Sequence, residues 1–239
     1  MSVALIGDSV LDNFYWLNDH KKDLKFRLNE LHLQCENYAV DESQLKDVLT
    51  SIYPNPNYVR ARTYPYPMVD GKVTPLTLLE QLQPEVIILS VGGNDLRVKI
   101  ANLMYGPDFF INSVVTPTFK DDYEKLIIRL KSLCKKLIIV SVYSPCLTEG
   151  IYKIVSPFAD PIFNLWFKFL NNLCVKHNIP ILDLYRTFDN TNRSHYGTTI
   201  IEPSDTATVV MAQILKTMIE EWNGHKVYYA PNFGELVRE

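Results

Sequence analysis

A chain of 239 residues that is 47% hydrophobic and 21% charged carries enough apolar matter for one sizeable α/β core and enough charge to stay dissolved, which excludes a disordered or low-complexity protein. A formal net charge of -3 offers no overall attraction to phosphate backbones or anionic lipid, so neither nucleic acid nor a membrane surface is an expected partner. No run approaches the roughly 20 apolar residues that cross a bilayer. With the first predicted strand starting at Ser2 or Val3, no N-terminal leader is expected ahead of it. The cysteines, Cys35, Cys134, Cys146 and Cys174, lack C-x-x-C spacing and read as buried thiols of a reducing compartment. The expectation is a cytoplasmic protein without a transmembrane segment, or one exported without an N-terminal signal.

"SVALIG" (2 to 7) is the first predicted strand, short, rich in Val, Ile and Leu, and apolar without clean alternation, as suits a strand buried on both faces of a parallel sheet. "DLKFRLNELH" (23 to 32) has helical spacing, and the charge run "DHKKDLKFR" (19 to 27) overlapping it reads as a solvated face. "LHLQCENYAV" (31 to 40) alternates better and suits a strand nearer an edge. Residues 52 to 75, dense in Pro and Tyr, and residues 97 to 119 are too long for simple turns and are expected to wall a cleft. "PEVIILSVGG" (84 to 93), "KLIIVSVY" (136 to 143) and "IPILDL" (179 to 184) repeat the buried-strand pattern. The helical stretches 121 to 136 and 160 to 178 separate them, and 204 to 223 follows, with Ser204 and Asp205 at its start and Asn223-Gly224 at its end. The aromatic run "FNLWFKFL" inside the second of these is expected to pack into the core. The tail from Gly224 suits either an edge strand or a cover for one face.

This alternation implies one α/β domain over residues 1–239, with a core at 2–222 and a C-terminal extension at 223–239. The predicted architecture is a three-layer α/β/α sandwich on a five-stranded parallel sheet of order 2-1-3-4-5, whose ligands bind beyond the carboxyl ends of the strands. "GDS" (7 to 9) falls at that end of the first strand, where unpaired backbone N–H groups favour a developing negative charge, a suitable address for a serine nucleophile at Ser9. "GGND" (92 to 95) falls at the same end of the neighbouring strand, where the Asn94 amide can donate towards an oxyanion formed beside Ser9.

With these two motifs the chain resembles the SGNH, or GDSL-like, hydrolases. "GDSV" (7 to 10) is similar to the family's first block and "GGND" to its third; "NYAVDESQLKDVL" (37 to 49) has the frame of the second, and "IEPSDTATVVMAQIL" (201 to 215) resembles the last block and its helix. The resemblance spans roughly residues 2 to 222. It implies an esterase, lipase, thioesterase or deacetylase acting on a small-molecule or glycan ester through an acyl-serine, without metal or other cofactor. Ser9 would be the nucleophile and Asn94 an oxyanion donor, with Asp8 and Gly93 beside them.

Two positions depart from the pattern. Glu42 stands where the family places a glycine whose N–H joins the oxyanion hole, and its carboxylate opposes a growing negative charge. Thr199 and Glu202 stand where the family places the aspartate and histidine of the base. A serine without a base is a poor nucleophile, which leaves three readings. His195 swings over Ser9 as base, its second nitrogen held by Glu202 or by Asp189 or Asp183; Glu202 itself takes the proton after burial raises its pKa; or the pocket binds a ligand or another protein with little hydrolysis. His20, His32, His177 and His225 suit surface or helix-end positions. No His or Cys cluster has metal-ligand spacing, and Walker, G-x-G-x-x-G and G-x-S-x-G motifs are absent from the sequence.

Overall fold

Along the first strand, Val3 and Leu5 face one apolar cluster while Ala4 and Ile6 face another, and the same alternation recurs at Val86/Ile88 against Ile87/Leu89 and at Ile138/Val140 against Leu137/Ile139. Both faces of the sheet are therefore dry, which is why these strands carry apolar residues at every position. The computed structural model describes residues 1–17, 19, 22–50, 68, 69, 72, 73, 75–154 and 156–239.

The strands are β1 (Ser2–Gly7), β2 (Gln34–Asn37), β3 (Met68–Val69), β4 (Lys72–Val73), β5 (Val86–Ser90), β6 (Lys136–Val140), β7 (Ile181–Leu182), β8 (Val227–Tyr229) and β9 (Val237–Arg238). The helices are α1 (Leu24–Glu30), α2 (Leu45–Thr50), α3 (Pro75–Leu82), α4 (Gly93–Arg97), α5 (Pro107–Val114), α6 (Pro117–Leu133), α7 (Ser156–His177), α8 (Leu184–Thr187) and α9 (Asp205–Glu220). The main sheet runs β2-β1-β5-β6-β7-β8-β9, and β3 pairs with β4 in a separate two-stranded sheet among the described residues. β2, β1, β5, β6 and β7 are parallel and reproduce the expected order. The sheet is nonetheless seven-stranded, not five-stranded. β7 is two residues long, and the tail covers its outer edge with β8 in parallel and then folds β9 back in antiparallel.

α1 and α9 cover one face through Leu24, Leu28, Met211 and Leu215. α2, α3, α6 and α7 cover the other through Val48, Leu79, Leu126 and Leu170. Local chemistry starts these helices. Asp23 accepts from the Phe26 N–H at 2.8 Å, Thr116 from Phe119 before Pro117, and Ser204 from Ala207 at 3.2 Å.

The connection 97 to 119 is not an open loop. It folds into short helical pieces, a 3-10 turn at Ile100–Tyr105, then α5 and the start of α6. Gly106 at φ 100° breaks the chain between the first two, and Pro107 begins the next. Of the stretch 52 to 75, only β3, β4 and Pro75 are described, so its expected place in a cleft wall lies outside the described residues, as does His20. Trp166 and Leu170 of the aromatic run are core residues. Cys35, Cys146 and Cys174 are buried, Cys134 is half-buried, and none is in a disulfide. Among the described residues no helix is long and apolar enough to cross a membrane.

Candidate active site

β1 ends in a turn that only a residue without a side chain can make. Gly7 has φ 138°, and a Cβ there would stand 1.7 Å from the Ser90 carbonyl oxygen of β5. The chain is held at this approach by the Asp8 N–H, which donates to that same oxygen at 3.0 Å. Leu11 and Asp12 then both donate back to the Asp8 carbonyl, at 3.1 and 3.0 Å, so Ser9 is presented on the outside of the turn. The Ser9 backbone N–H has no acceptor among the described residues.

β5 delivers the second group. Gly92, at φ 120°, passes so close to α7 that a Cβ would lie 2.3 Å from Trp166 Cζ2, and α4 begins directly after it. Asn94, only 9% exposed, lies in the first turn of α4 and donates from Nδ2 to the Ser43 carbonyl at 3.1 Å. That bond orients the carboxamide and leaves its second hydrogen uncommitted. Ser9 and Asn94 line one cavity of about 130 Å³, together with Asp8 and Gly93. Much of the remaining wall is hydrocarbon from Leu96, Ile100, Leu103 and Phe110, with Ile162 and Phe163 from α7.

Asp8 is 1% exposed, and its Oδ1 accepts from the Val10 N–H at 3.2 Å and the Ser90 hydroxyl at 3.3 Å. Oδ2 has no partner among the described residues. Burial, against these hydrogen bonds, pushes its pKa up to about 8, so at neutral pH the group is mostly protonated and adds little charge beside Ser9.

Glu42 has φ 62°, the left-handed conformation that explains why a glycine suits the position. Its N–H donates to Asp41 Oδ1 at 2.8 Å, and its carboxylate lies 3.6 Å from Arg97 Nη2. The N–H expected in an oxyanion hole is thus committed to a neighbour, and the negative charge is offset by Arg97. Glu42 is not among the residues that line the cavity.

Thr199 and Glu202 are bonded to each other: the Thr199 hydroxyl donates to Glu202 Oε2, while Thr199 Oγ1 accepts from the Glu202 N–H at 3.2 Å. Glu202 is buried, and burial raises its pKa, with Thr199 and Arg97 pulling the other way. Its neighbour Ile201 lines the cavity.

His195 is placed elsewhere. Its ring stacks on Phe233 with centroids 3.8 Å apart and meets Phe188 edge-on. Nδ1 accepts from the Asp189 N–H at 3.0 Å, which assigns the proton of the neutral ring to Nε2. Burial lowers its pKa, with Asp189 opposing. The residue is 5% exposed and is not part of the cavity wall, so the expected swing over Ser9 is not observed. The tail after Gly224 supplies Phe233, and nothing in the local sequence around His195 signals that partner. Asp183 caps α8 and pairs with Arg186 at 2.6 Å, and the Asp189 carboxylate accepts from Thr191. His177 bonds Glu124, His225 bonds the Ile179 carbonyl, and His32 is exposed. Among the described residues no group of His, Cys, Asp or Glu is arranged to hold a metal. Sequence reasoning missed Arg97, Tyr143 and Tyr152, which line the cavity and feel the charge of Glu202.

The chain matches no family model and no curated protein. Among solved structures it is similar to a lipase from a goat rumen metagenome, at 14% identity and a TM-score of 0.65, over 91% of this chain and 96% of that one. It is also similar to an acetyl xylan esterase from Geobacillus stearothermophilus, at 13% identity and a TM-score of 0.56, over 91% of this chain and 94% of that one. A GDSL-like lipase from Bacteroides thetaiotaomicron aligns at 13% identity and a TM-score of 0.52, over 92% of this chain and 88% of that one. At such identities the likeness is one of fold.

Proposed function

We propose that this chain is a divergent SGNH-type serine hydrolase that cleaves an ester through an acyl-serine intermediate. The observation that carries the proposal is the convergence of Ser9 and Asn94 on one cavity at the carboxyl ends of β1 and β5. The fold shared with lipases and esterases supports it. Ser9 Oγ attacks the ester carbonyl and its proton passes to a carboxylate. The resulting oxyanion is bound by the Ser9 N–H and the free Nδ2 hydrogen of Asn94. Collapse expels the alcohol, which recovers the proton, and water then hydrolyses the acyl-serine by the same steps in reverse order.

For the proton acceptor, Glu202 is the better candidate than His195. Like His195 it is not itself in the cavity wall, but it sits next to cavity-lining Ile201, and burial makes its carboxylate a stronger base than an exposed one. His195 is held away by Phe233 and Asp189. The absence of any histidine from the described cavity wall favours a second reading, a ligand- or protein-binding module on a hydrolase fold.

A fluorophosphonate probe separates the two. Labelling that is lost in Ser9→Ala supports the hydrolase, and no labelling between pH 6 and 9 supports the binding module. Within the hydrolase, Glu202→Gln lowers ester turnover at least a hundredfold while His195→Ala leaves it within about tenfold; the opposite ranking returns the base to His195.

A further inference from the structure

The cavity wall is mostly hydrocarbon; besides Asp8, Ser9 and Asn94 its polar members are Arg97, Tyr143 and Tyr152. Asp8, Ser9 and Asn94 lie at the strand ends, and Leu96, Ile100, Leu103, Phe110 and Ile162 line the same space. Leu96, Leu103, Phe110 and Ile162 belong to a buried cluster with Val142 and Trp166, so their positions are set by packing. The wall they form is built on the helical pieces of residues 93–114 and on α7, whose backbone N–H and C=O groups are largely spent within the helices. A sugar ring against this surface would lose its hydrogen bonds to water and find few replacements.

Size points the same way. A volume of about 130 Å³ is close to that of an apolar cavity, ~150 Å³, that admits benzene. A two-carbon acyl group would leave most of it empty or filled by water with few partners. Resting on the reading of Ser9 as nucleophile, we infer that the cavity holds the acyl side of the substrate, as an unbranched chain of about four to six carbons, in preference to an acetyl group carried on a sugar. The chain runs from Ser9 between α4 and α7, with its end against Leu103 and Phe110.

Chain-length profiles of 4-nitrophenyl esters test the inference. Each methylene that enters the cavity raises kcat/KM about fourfold, so hexanoate exceeds acetate by roughly two orders of magnitude and decanoate falls below hexanoate. Leu103→Trp, or Ile100→Trp should the first variant fail to fold, brings the hexanoate-to-acetate ratio down towards one. A flat or acetate-favouring profile that still depends on Ser9 overturns the acyl-chain assignment and leaves the hydrolase reading standing. If no ester is turned over in a Ser9-dependent way, the hydrolase reading fails, and binding decides the assignment: Ser9→Ala protein binds methyl hexanoate at least tenfold more tightly than methyl acetate, and equal affinities overturn it.

Discussion

Replacing Asp8 by asparagine tests the electrostatic description of the strand ends. The carboxyl group has a pKa near 8 in the folded chain against 3.8 ordinarily, because it is buried with one oxygen unpartnered. Between those values the folded state keeps a proton that the unfolded chain has released, so stability falls as pH rises, by about 1.4 kcal/mol per pH unit from this group alone. At pH 7 the accumulated cost is on the order of 4 kcal/mol. An asparagine side chain never ionises and keeps the acceptor that serves Val10 and Ser90. The stability difference between Asp8→Asn and the unaltered protein, read from urea unfolding, should therefore widen by about 3 kcal/mol from pH 5 to pH 7 in favour of the variant. Burial raises Asp41 to about 7 and Asp95 to about 6, but both proteins share those groups, and their charge repulsion with Asp8 is its smallest perturbation, so the difference is dominated by position 8. A difference that stays constant over this range would refute the assignment of a buried, protonated Asp8.

Three further outcomes are expected. On the proposed hydrolase reading, Asn94→Ala takes away an oxyanion donor and lowers kcat for a cleaved ester by about 10²- to 10³-fold with little change in KM, as steady-state kinetics will show. Gly92→Ala, which drives a methyl group into the Trp166 ring, costs about 2–4 kcal/mol in chemical denaturation, and combining it with Trp166→Phe recovers part of that loss, so that the two changes are not additive. Glu42→Gly relieves a left-handed backbone and raises stability by about 1 kcal/mol or less, since the ion pair to Arg97 given up is a surface one; a lowered thermal midpoint would contradict this.

Local chemistry carried the sequence reading wherever local chemistry decides structure. β1, β5 and β6 were legible because a strand buried on both faces must be apolar throughout, α1 because its apolar residues recur at helical spacing, and α9 because Ser204 caps it. The helical nature of residues 97 to 119 was hidden by its short pieces and by the Gly106-Pro107 break, which taken alone resembles loop punctuation. β7 was expected in its place, whereas the tail left an edge strand and a face cover both open, because the pairing of β8 and β9 depends on contacts between distant parts of the chain. Ser9 and Asn94 could be placed in advance because each follows a recognisable strand. His195 could not, since its orientation is decided by Phe233 from the tail. At Glu42 the departure from glycine was visible, but the committed N–H and the Arg97 partner were not.

The contact between Gly7 and the Ser90 carbonyl has a bearing on how the protein can be altered. It locks the segment carrying the hydroxyl to the strand that leads into the carboxamide, with no room for even a methyl group, and Gly92 is pressed in the same way against the Trp166 ring. The end of the pocket that holds Ser9 and Asn94 is thus fixed as a unit. On the proposed reading, variant libraries aimed at new substrates should leave positions 7 and 92 alone and diversify Ile100, Leu103, Phe110 and Ile162, which line the same space.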